Sequence, residues 1–245
     1  MTRMILKTRL LGQTYQFKNL KEVFAKANEE KSGDRLAGLC AETVQERIAA
    51  KQVLSEITLE EIRNHPLIPP EEDEVSRIIE ESIDEDVFRE IKNWSVARLR
   101  EYILDEKNGS DELLRIGRGL SSEMIAAVTK LMSNMDLVYA ANKIEVISEC
   151  NIAIGQKGRL ASRLQPNHPT DRVEGIIASL SEGLSYGVGD AVIGINPVDD
   201  SVESVKRILE ATHQFIRDWE IPAQNCVLAH VTTQMKAIEQ GAPAD

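Results

Sequence analysis

The C-terminal part of the sequence alternates short strand-like runs with amphipathic stretches. The first run, residues 158–164, is mixed in character and the least apolar; the runs at residues 190–195 and 226–231 are largely apolar. Patterns typical of amphipathic helices follow at residues 171–184, 201–219 and 233–239. Successive runs lie roughly 30–35 residues apart, the spacing of βαβ units, so we predict an α/β fold with parallel strands and right-handed crossovers. Both a (β/α)₈ barrel and an open doubly wound sheet satisfy this order.

Residues 1–150 lack this alternation and are predicted to form a mainly helical region. An exception is residues 5–17, where two short extended runs flank a glycine and indicate a β-hairpin. Asn19 and Thr58 are each followed three positions later by Glu, the spacing of a capping box. Further helices are predicted at residues 41–54, 84–91, 95–105, 109–117 and 122–147, with Ser95 and Ser122 as N-caps. We therefore predict a helical domain over residues 1–150 and three βα units over residues 151–245.

Two segments of the helical region admit a structural and a functional interpretation. Residues 71–85 are strongly acidic, yet Val75, Ile78 and Ile79 recur at helical spacing. A solvated helix is therefore favoured over an acidic recognition tail. The second segment carries an apolar stripe that is more typical of core packing than of a ligand groove. Its members are Met124, Val128, Leu131 and Met132.

The charge balance weighs against two classes of partner. Lys and Arg number 29 against 40 Asp and Glu, which gives a net charge of −11. This charge repels nucleic-acid phosphates and anionic membrane surfaces, and aromatic residues, at 4%, are few for base stacking. No run of about 18 apolar residues is present to span a membrane. We therefore expect no nucleic-acid partner and no membrane association.

Cysteine and histidine spacing argues against disulfides and against a protein metal site. Cys40, Cys150 and Cys226 are far apart and form no C-x-x-C pair. Three such thiols, with no signal-peptide pattern at the N-terminus, indicate a reducing cytoplasm. The histidines show no paired spacing of metal ligands; they are His65, His168, His213 and His230.

Ligands of parallel α/β proteins bind at the carboxyl ends of the strands, which selects a few candidate residues. Arg163 and Gln165 end the first predicted strand, Asn196 and Pro197 follow the second, and His230 ends the third. Guanidinium and amide groups suit a small polar molecule with a hydroxyl or an amine. Three structural alternatives remain open: an Arg163–Asp ion pair, an Asn-Pro turn cap, and His230 as a buried, hydrogen-bonded histidine.

Several common catalytic motifs are missing from the sequence. Gly187-Val188-Gly189 precedes its predicted strand, whereas a phosphate-binding glycine loop follows a strand and opens a helix. Ser162 does not lie in a G-x-S-x-G elbow, and no pair of carboxylates occurs at the strand ends. Nucleotide binding and acid–base hydrolysis are therefore weakly supported.

Five blocks of sequence carry a resemblance to a known family. They are YQFKNLKEVFAKANEEKSGDRLAG, QERIAAKQVLSEIT, RLQPN, EGLSYGVGDAVIGINPV and CVLAHVTTQMKAIEQGAP. Together they resemble the large, catalytic subunit of ethanolamine ammonia-lyases, collinearly from about residue 4 to residue 243. Whole blocks rather than a short motif carry this resemblance.

The resemblance implies an adenosylcobalamin-dependent radical enzyme that converts ethanolamine to acetaldehyde and ammonia. It implies a helical N-terminal region followed by a (β/α)₈ TIM barrel, of which this chain would hold three βα units. It also implies association with a small subunit and with further large subunits. The expected location is the cytoplasm, within a bacterial microcompartment.

The same resemblance assigns roles to four residues. Arg163 and Gln165, in the R-L-Q-P motif, and Asn196, before Pro197, match residues that contact the substrate. Arg163 would be catalytic by bonding the hydroxyl oxygen, and Pro197 would lie against the corrin ring. The sequence lacks the D-x-H-x-x-G motif of enzymes that bind cobalt through histidine, so no protein metal ligand is expected.

The family's large subunit extends for roughly as many residues again, and its ammonium-binding Glu and Asp lie in that further part. We therefore expect the 245-residue chain to be inactive alone. Two alternatives remain open: a different barrel enzyme, such as an aldolase acting on a phosphorylated substrate, and a non-catalytic assembly protein.

Overall fold

The computed structural model describes residues 5–149 and 151–245. The chain divides into two compact units, Met1–Ile144 and Glu145–Asp245. Helices and small sheets together confirm the α/β class. Cys150 and Met1 to Met4 lie outside the described residues.

The first unit opens with the predicted β-hairpin. Strands β1 (Lys7–Leu10) and β2 (Gln13–Gln16) pair antiparallel. The connecting residues, Leu11 and Gly12, have φ angles of 49° and 84°. Positive φ at both central positions is the geometry of the two-residue turn whose twist matches that of the strands. The hairpin prediction is confirmed.

Ten helices follow in the described part of the first unit. They are α1 (Leu20–Ala27), α2 (Ser32–Leu36), α3 (Val44–Glu56), α4 (Leu59–Asn64), α5 (Glu74–Glu81), α6 (Glu85–Ile91), α7 (Val96–Leu104), α8 (Ser110–Gly117), α9 (Ser122–Lys130) and α10 (Asn134–Lys143). Thr58 and Glu61 form the predicted capping box of α4, and Asn19 and Ser95 cap α1 and α7. These caps satisfy amide groups that a helix start leaves unpaired.

The prediction of one helix over residues 122–147 is wrong. The chain forms α9 and α10 instead, because Ser133 starts a capping box with Asp136. The Ser133 hydroxyl accepts from the Asp136 amide at 3.1 Å, and the Asp136 carboxylate accepts from the Ser133 amide at 3.0 Å. Such local bonds offer the backbone an alternative to a continuous helix. The N-cap of α9 is Ser121 rather than the predicted Ser122.

The core of the first unit is built from the apolar faces of these helices. The predicted stripe lies within it: Met124, Val128 and Met132 are buried, and Leu131 packs against them. The acidic segment forms α5, which buries none of its residues and pairs Arg77 with Glu74 and Glu81. The core and solvated-helix interpretations are both confirmed.

The second unit has three parallel strands in the order β5-β6-β7. A short antiparallel pair, β3 (Ser148–Glu149) and β4 (Ala153–Ile154), precedes them. The remaining elements are β5 (Arg163–Leu164), α11 (Val173–Ser185), β6 (Val192–Ile195), α12 (Val202–Asp218), β7 (Gln224–Val227) and α13 (Val231–Glu239). The predicted alternation of parallel strands and helices is confirmed, whereas a complete barrel stays a prediction.

Two of the predicted strands are displaced. Only Arg163 and Leu164 of the first run are paired, and Leu160, its predicted centre, is fully exposed. The third strand ends at Val227, and Val231 already begins α13. A short apolar run does not distinguish a strand from the first turn of a buried helix.

The strands of the second unit have two chemically different faces because successive side chains alternate. Leu164, Ile193, Ile195 and Val227 pack with the helices; the latter contribute Ile176, Leu180, Ile208 and Leu209 to that core. Arg163, Gly194 and Cys226 occupy the opposite register positions. The helix-distal face therefore carries a guanidinium, a glycine and a thiol on three neighbouring strands.

Among the described residues, no helix combines the length and the apolar character needed to cross a membrane.

Replacing Ile208 with Ala should lower the free energy of unfolding of the second unit by about 2–5 kcal/mol, because a fully buried side chain leaves a cavity. Native-state hydrogen exchange of the α12 amides measures this loss. Glu210→Ala, on the exposed side of the same helix, is the matched control, with an expected change within about 0.5 kcal/mol. Equal effects of the two substitutions would contradict the assignment of the core.

Candidate functional site

The carboxyl ends of β5, β6 and β7 lead into three loops that form the candidate site: residues 165–172, 196–201 and 228–230. Hydrogen bonds link each loop to the next. The first link is made by Asn167, whose Oδ1 accepts from the backbone N–H of Asn196 at 2.8 Å. Asn167 in turn donates its own N–H to the carbonyl of Gln165 at 2.9 Å. The backbones that carry Gln165 and Asn196 are thereby joined.

Asp171 makes a second link between the first two loops. The residue is only 3% exposed. The carboxylate accepts from the amide of Val198 at 2.9 Å and from that of Asp199 at 2.7 Å. Asp171 is buried, and a buried carboxylate needs hydrogen-bond partners, since leaving its charge unpaired is costly. Asp171 therefore fixes the backbone immediately after Pro197.

Asp200 and His230 connect the second loop to the third. The carboxylate of Asp200 accepts from the His230 amide at 3.0 Å and from the Thr233 hydroxyl at 3.4 Å. His230 is the N-cap of α13, and its Nδ1 accepts from the Thr232 amide at 3.3 Å. The imidazole is exposed, so the expectation of a buried histidine is wrong. Helix capping accounts for the hydrogen bond that was expected.

Arg163 lies on β5, with an exposed side chain that crosses the neighbouring strand. Its Nη2 donates to Cys226 Sγ at 3.7 Å, a long contact to a weak acceptor. No carboxylate of the described residues lies within ion-pair distance of this guanidinium. The alternative of an Arg163–Asp pair is therefore not observed in that part of the chain. Arg163 keeps donors available for a ligand.

The other three predicted residues lie on the loops that follow β5 and β6. Gln165 is exposed, and Asn196 and Pro197 are half-buried. Within the described residues, the side-chain amides of Gln165 and Asn196 make no hydrogen bond to the protein. Both amides retain their capacity to donate and accept.

A further polar contact lies where β5 and β6 begin. Ser162 donates its amide, at 2.8 Å, and its hydroxyl, at 2.5 Å, to Asp190 Oδ1, and Ser162 Oγ accepts from the Gly189 amide at 2.9 Å. These bonds, above all the one from the Ser162 hydroxyl, lower the pKa of Asp190 below its ordinary value. They join the two strands at their amino-terminal ends, next to Arg163 and away from Gln165 and Asn196.

Sequence reasoning assigned no role to the residues that support the site: Asn167, Asp171, Gly194, Asp200 and Cys226. Asn167 and Asp200 adjoin the predicted strand ends and could have been chosen as polar loop residues. Asp171 has a φ of +52°, which no sequence pattern indicates. Gly194 and Cys226 are important only because the register places them beside Arg163.

No group of three or more His, Cys, Asp or Glu side chains in residues 5–149 and 151–245 is arranged to hold a metal ion. The donors of the candidate site are instead a guanidinium and two carboxamides. They suit a neutral or electron-rich oxygen better than a divalent cation.

Comparison with known proteins assigns the family. The model for the ethanolamine ammonia lyase large subunit (EutB) matches residues 15–245. The chain belongs to the ethanolamine ammonia-lyase large-subunit family. The resemblance carried by the five sequence blocks is thereby confirmed.

Two curated members of the ethanolamine ammonia-lyase large-subunit family illustrate the extent of the similarity. The large subunit of Escherichia coli (strain K12) is 53% identical over 240 residues, which cover 98% of this chain and 53% of that protein. The large subunit of Salmonella typhimurium (strain LT2) is 52% identical over the same length. The chain spans about half the length of the curated relatives it matches.

Asp171→Ala should destabilise the second unit by about 2–4 kcal/mol, because it leaves two amides without their charged acceptor. Faster hydrogen exchange at the Val198 and Asp199 amides would report this loss at the loop itself. The control is Asp218→Ala at the exposed end of α12, where the carboxylate accepts from Gln214 and from no other side chain of the described residues. If the Val198 amide exchanged at the same rate in Asp171→Ala as in the unsubstituted protein, Asp171 would not hold this loop in place.

Proposed function

We propose that this chain provides the N-terminal part of an ethanolamine ammonia-lyase large subunit. The complete enzyme would convert ethanolamine to acetaldehyde and ammonia with adenosylcobalamin. The observation that carries the proposal is the family match, which extends over both compact units. The open donors of Arg163, Gln165 and Asn196 are consistent with a substrate bearing a hydroxyl and an amine.

The proposed barrel rests on the arrangement of the second unit. Its three strands are parallel and sequential, and each is followed by a helix. The edge of β7 that does not pair with β6 also makes a backbone hydrogen bond: Asp245 donates its amide to the Asn225 carbonyl at 3.1 Å. An additional parallel strand would lie at this edge, as closure into a barrel requires.

Helix α13 supplies a second argument for additional βα units. Val231, Met235 and Ile238 recur at helical spacing, and they are 63%, 57% and 52% exposed. An apolar stripe of this kind is typical of a helix face that packs against another element. We propose that the next helix of a barrel covers it.

The charge of Arg163 determines which end of ethanolamine it can bind. The guanidinium repels the substrate's ammonium group and attracts its hydroxyl oxygen. Arg163 is therefore proposed to donate to that oxygen, while Gln165 and Asn196 orient the hydroxyl and the amine. Acidic groups for the ammonium would come from the part of the subunit that follows this chain.

The same donor is suited to the chemical step. Negative charge that develops on the hydroxyl oxygen during amine migration is stabilised by a preoriented cationic donor. A fixed guanidinium does this without reorganising during the reaction. Arg163 is the catalytic residue of this proposal because it touches the reacting substrate.

We propose that the loop after β6 contacts one face of a large ring cofactor. Pro197 is half-buried and Val198 is exposed beside it, and Asp171 fixes their backbone. An apolar surface of this kind, next to the side-chain amide of Asn196, suits a macrocycle with polar substituents. Pro197 would therefore contact adenosylcobalamin, which, when bound, supplies the radical that starts the reaction.

The partners of this chain are proposed by the same route. A small subunit, further large subunits and a location in a bacterial microcompartment follow from the family. The negative charge of the chain does not favour nucleic acid.

Arg163→Ala in the complete large subunit, assembled with its small subunit, should lower kcat by about 10²–10³-fold, because one charge-stabilising donor is lost. Ammonia release from ethanolamine with adenosylcobalamin is the measurement. Arg163→Lys keeps the charge without the planar fork and should recover part of the rate. The control is Arg217→Ala, because Arg217 is exposed on α12. If the Arg163→Ala and Arg217→Ala enzymes had the same kcat, the catalytic role assigned to Arg163 would be wrong.

The 245-residue chain should release no ammonia by itself, because it spans about half the length of its curated relatives and the acidic ammonium ligands are proposed to lie in the other half. The assembled enzyme is the positive control in the same assay. Turnover by the isolated chain would contradict this division of the site. Failure of the assembled enzyme, together with an absence of cobalamin binding, would instead favour a non-catalytic assembly protein.

A further inference from the structure

The backbone of β6 is bare at one position of the helix-distal face. Gly194 follows Val192 by two residues, so both occupy the same face of the sheet. Arg163 pairs with Val192, and Cys226 pairs with Gly194. The Arg163 side chain therefore has to pass Gly194 to reach Cys226.

The guanidinium of Arg163 lies directly over Gly194. A Cβ atom added to Gly194 would lie 2.2 Å from Arg163 Nη2, 2.6 Å from Cζ and 2.7 Å from Nε. Three guanidinium atoms therefore occupy the space that any other residue would use for its side chain. The φ of Gly194 is not in the left-handed region, so space rather than backbone freedom requires glycine here.

We propose that Gly194 is a positioning residue for Arg163, and that Gly194 and Cys226 together form a seat for its guanidinium. Gly194 leaves the groove that the guanidinium fills, and Cys226 Sγ accepts from Nη2 at the far side, at 3.7 Å. This inference rests on the proposed function, because it gives that function's arginine a fixed direction. An exposed arginine on a flat strand would otherwise spread over several rotamers.

If this proposal is right, a substitution at Gly194 should move the Arg163 guanidinium without unfolding the protein. The atoms that a new Cβ would meet belong to the free end of a flexible side chain. Arg163 can therefore swing away, and the fold tolerates the change. The expected consequence of Gly194→Ala is a folded protein whose guanidinium has left its place.

The first test compares crystal structures and thermal unfolding of the 245-residue chain and its Gly194→Ala variant. We expect a Tm change within about 4 °C and a guanidinium that no longer lies over β6. Gly33→Ala is the control, since a Cβ there meets nothing within 4 Å. A guanidinium that keeps its position in Gly194→Ala would overturn the proposal.

The second test is a double-mutant cycle in the assembled enzyme with its small subunit. Gly194→Ala alone should lower kcat by about 10–100-fold, because a displaced donor no longer matches the reacting oxygen. In an Arg163→Ala background, the same substitution should change kcat no further, because it acts through Arg163. An equal loss in both backgrounds would overturn the proposal.

Cys226 provides a graded variant of the cycle. Cys226→Ala should reduce kcat by less than about fivefold, because one weak hydrogen bond is lost while the groove remains. Cys226→Ser keeps an acceptor and should recover the rate. A Cys226→Ala loss as large as that of Gly194→Ala would contradict the leading role of the glycine.

The two tests separate this inference from the proposed function. If Arg163→Ala leaves turnover unchanged, the proposed role of Arg163 in catalysis fails. The crystal structures still test whether Gly194 and Cys226 position the guanidinium, because they report only where the guanidinium lies.

Discussion

Strand β6 pairs with β5 on one edge and with β7 on the other. Its side chains alternate between the two faces of the sheet, and the rest of the second unit depends on this alternation. Ile193 and Ile195 point into the helical layer and are fully buried there. Gly194, between them, faces the other way and presents no side chain. The same strand therefore anchors the core and leaves the space that Arg163 occupies. A shift of one residue in register would exchange these two faces.

The loops beyond the strands depend on β6 in a second way. Asn167 and Asp171 bind backbone amides that follow β6, and Asp200 binds one that follows β7. Each bond joins neighbouring loops through a side-chain acceptor and a backbone donor. Such bonds fix the loop backbones relative to one another, as the preorganised donors of the proposed site require.

Local signals predicted much of the secondary structure correctly. Asn19, Thr58 and Ser95 cap the expected helices because an N-cap acts within three residues. The capping signal at Ser133 is equally local, and it outweighs the longer apolar pattern that predicts a single helix. The end of β7 is different, because the apolar run around Val231 suits a strand and a helix equally well. At this position, packing against the sheet determines that the residues form the first turn of α13.

By itself, the sequence determined the family and the alternation of parallel strands and helices in the second unit. These follow from blocks of residues and from periodicity. The sequence also placed Gln165 and Asn196 after the first two strands, whereas Arg163, predicted to end the first strand, begins β5. Only the tertiary structure decided that Arg163 crosses Gly194 to reach Cys226 and that Asp171 clamps the loop after Pro197. Those contacts join residues on different strands and loops, and the register that brings them together is set by packing across the sheet.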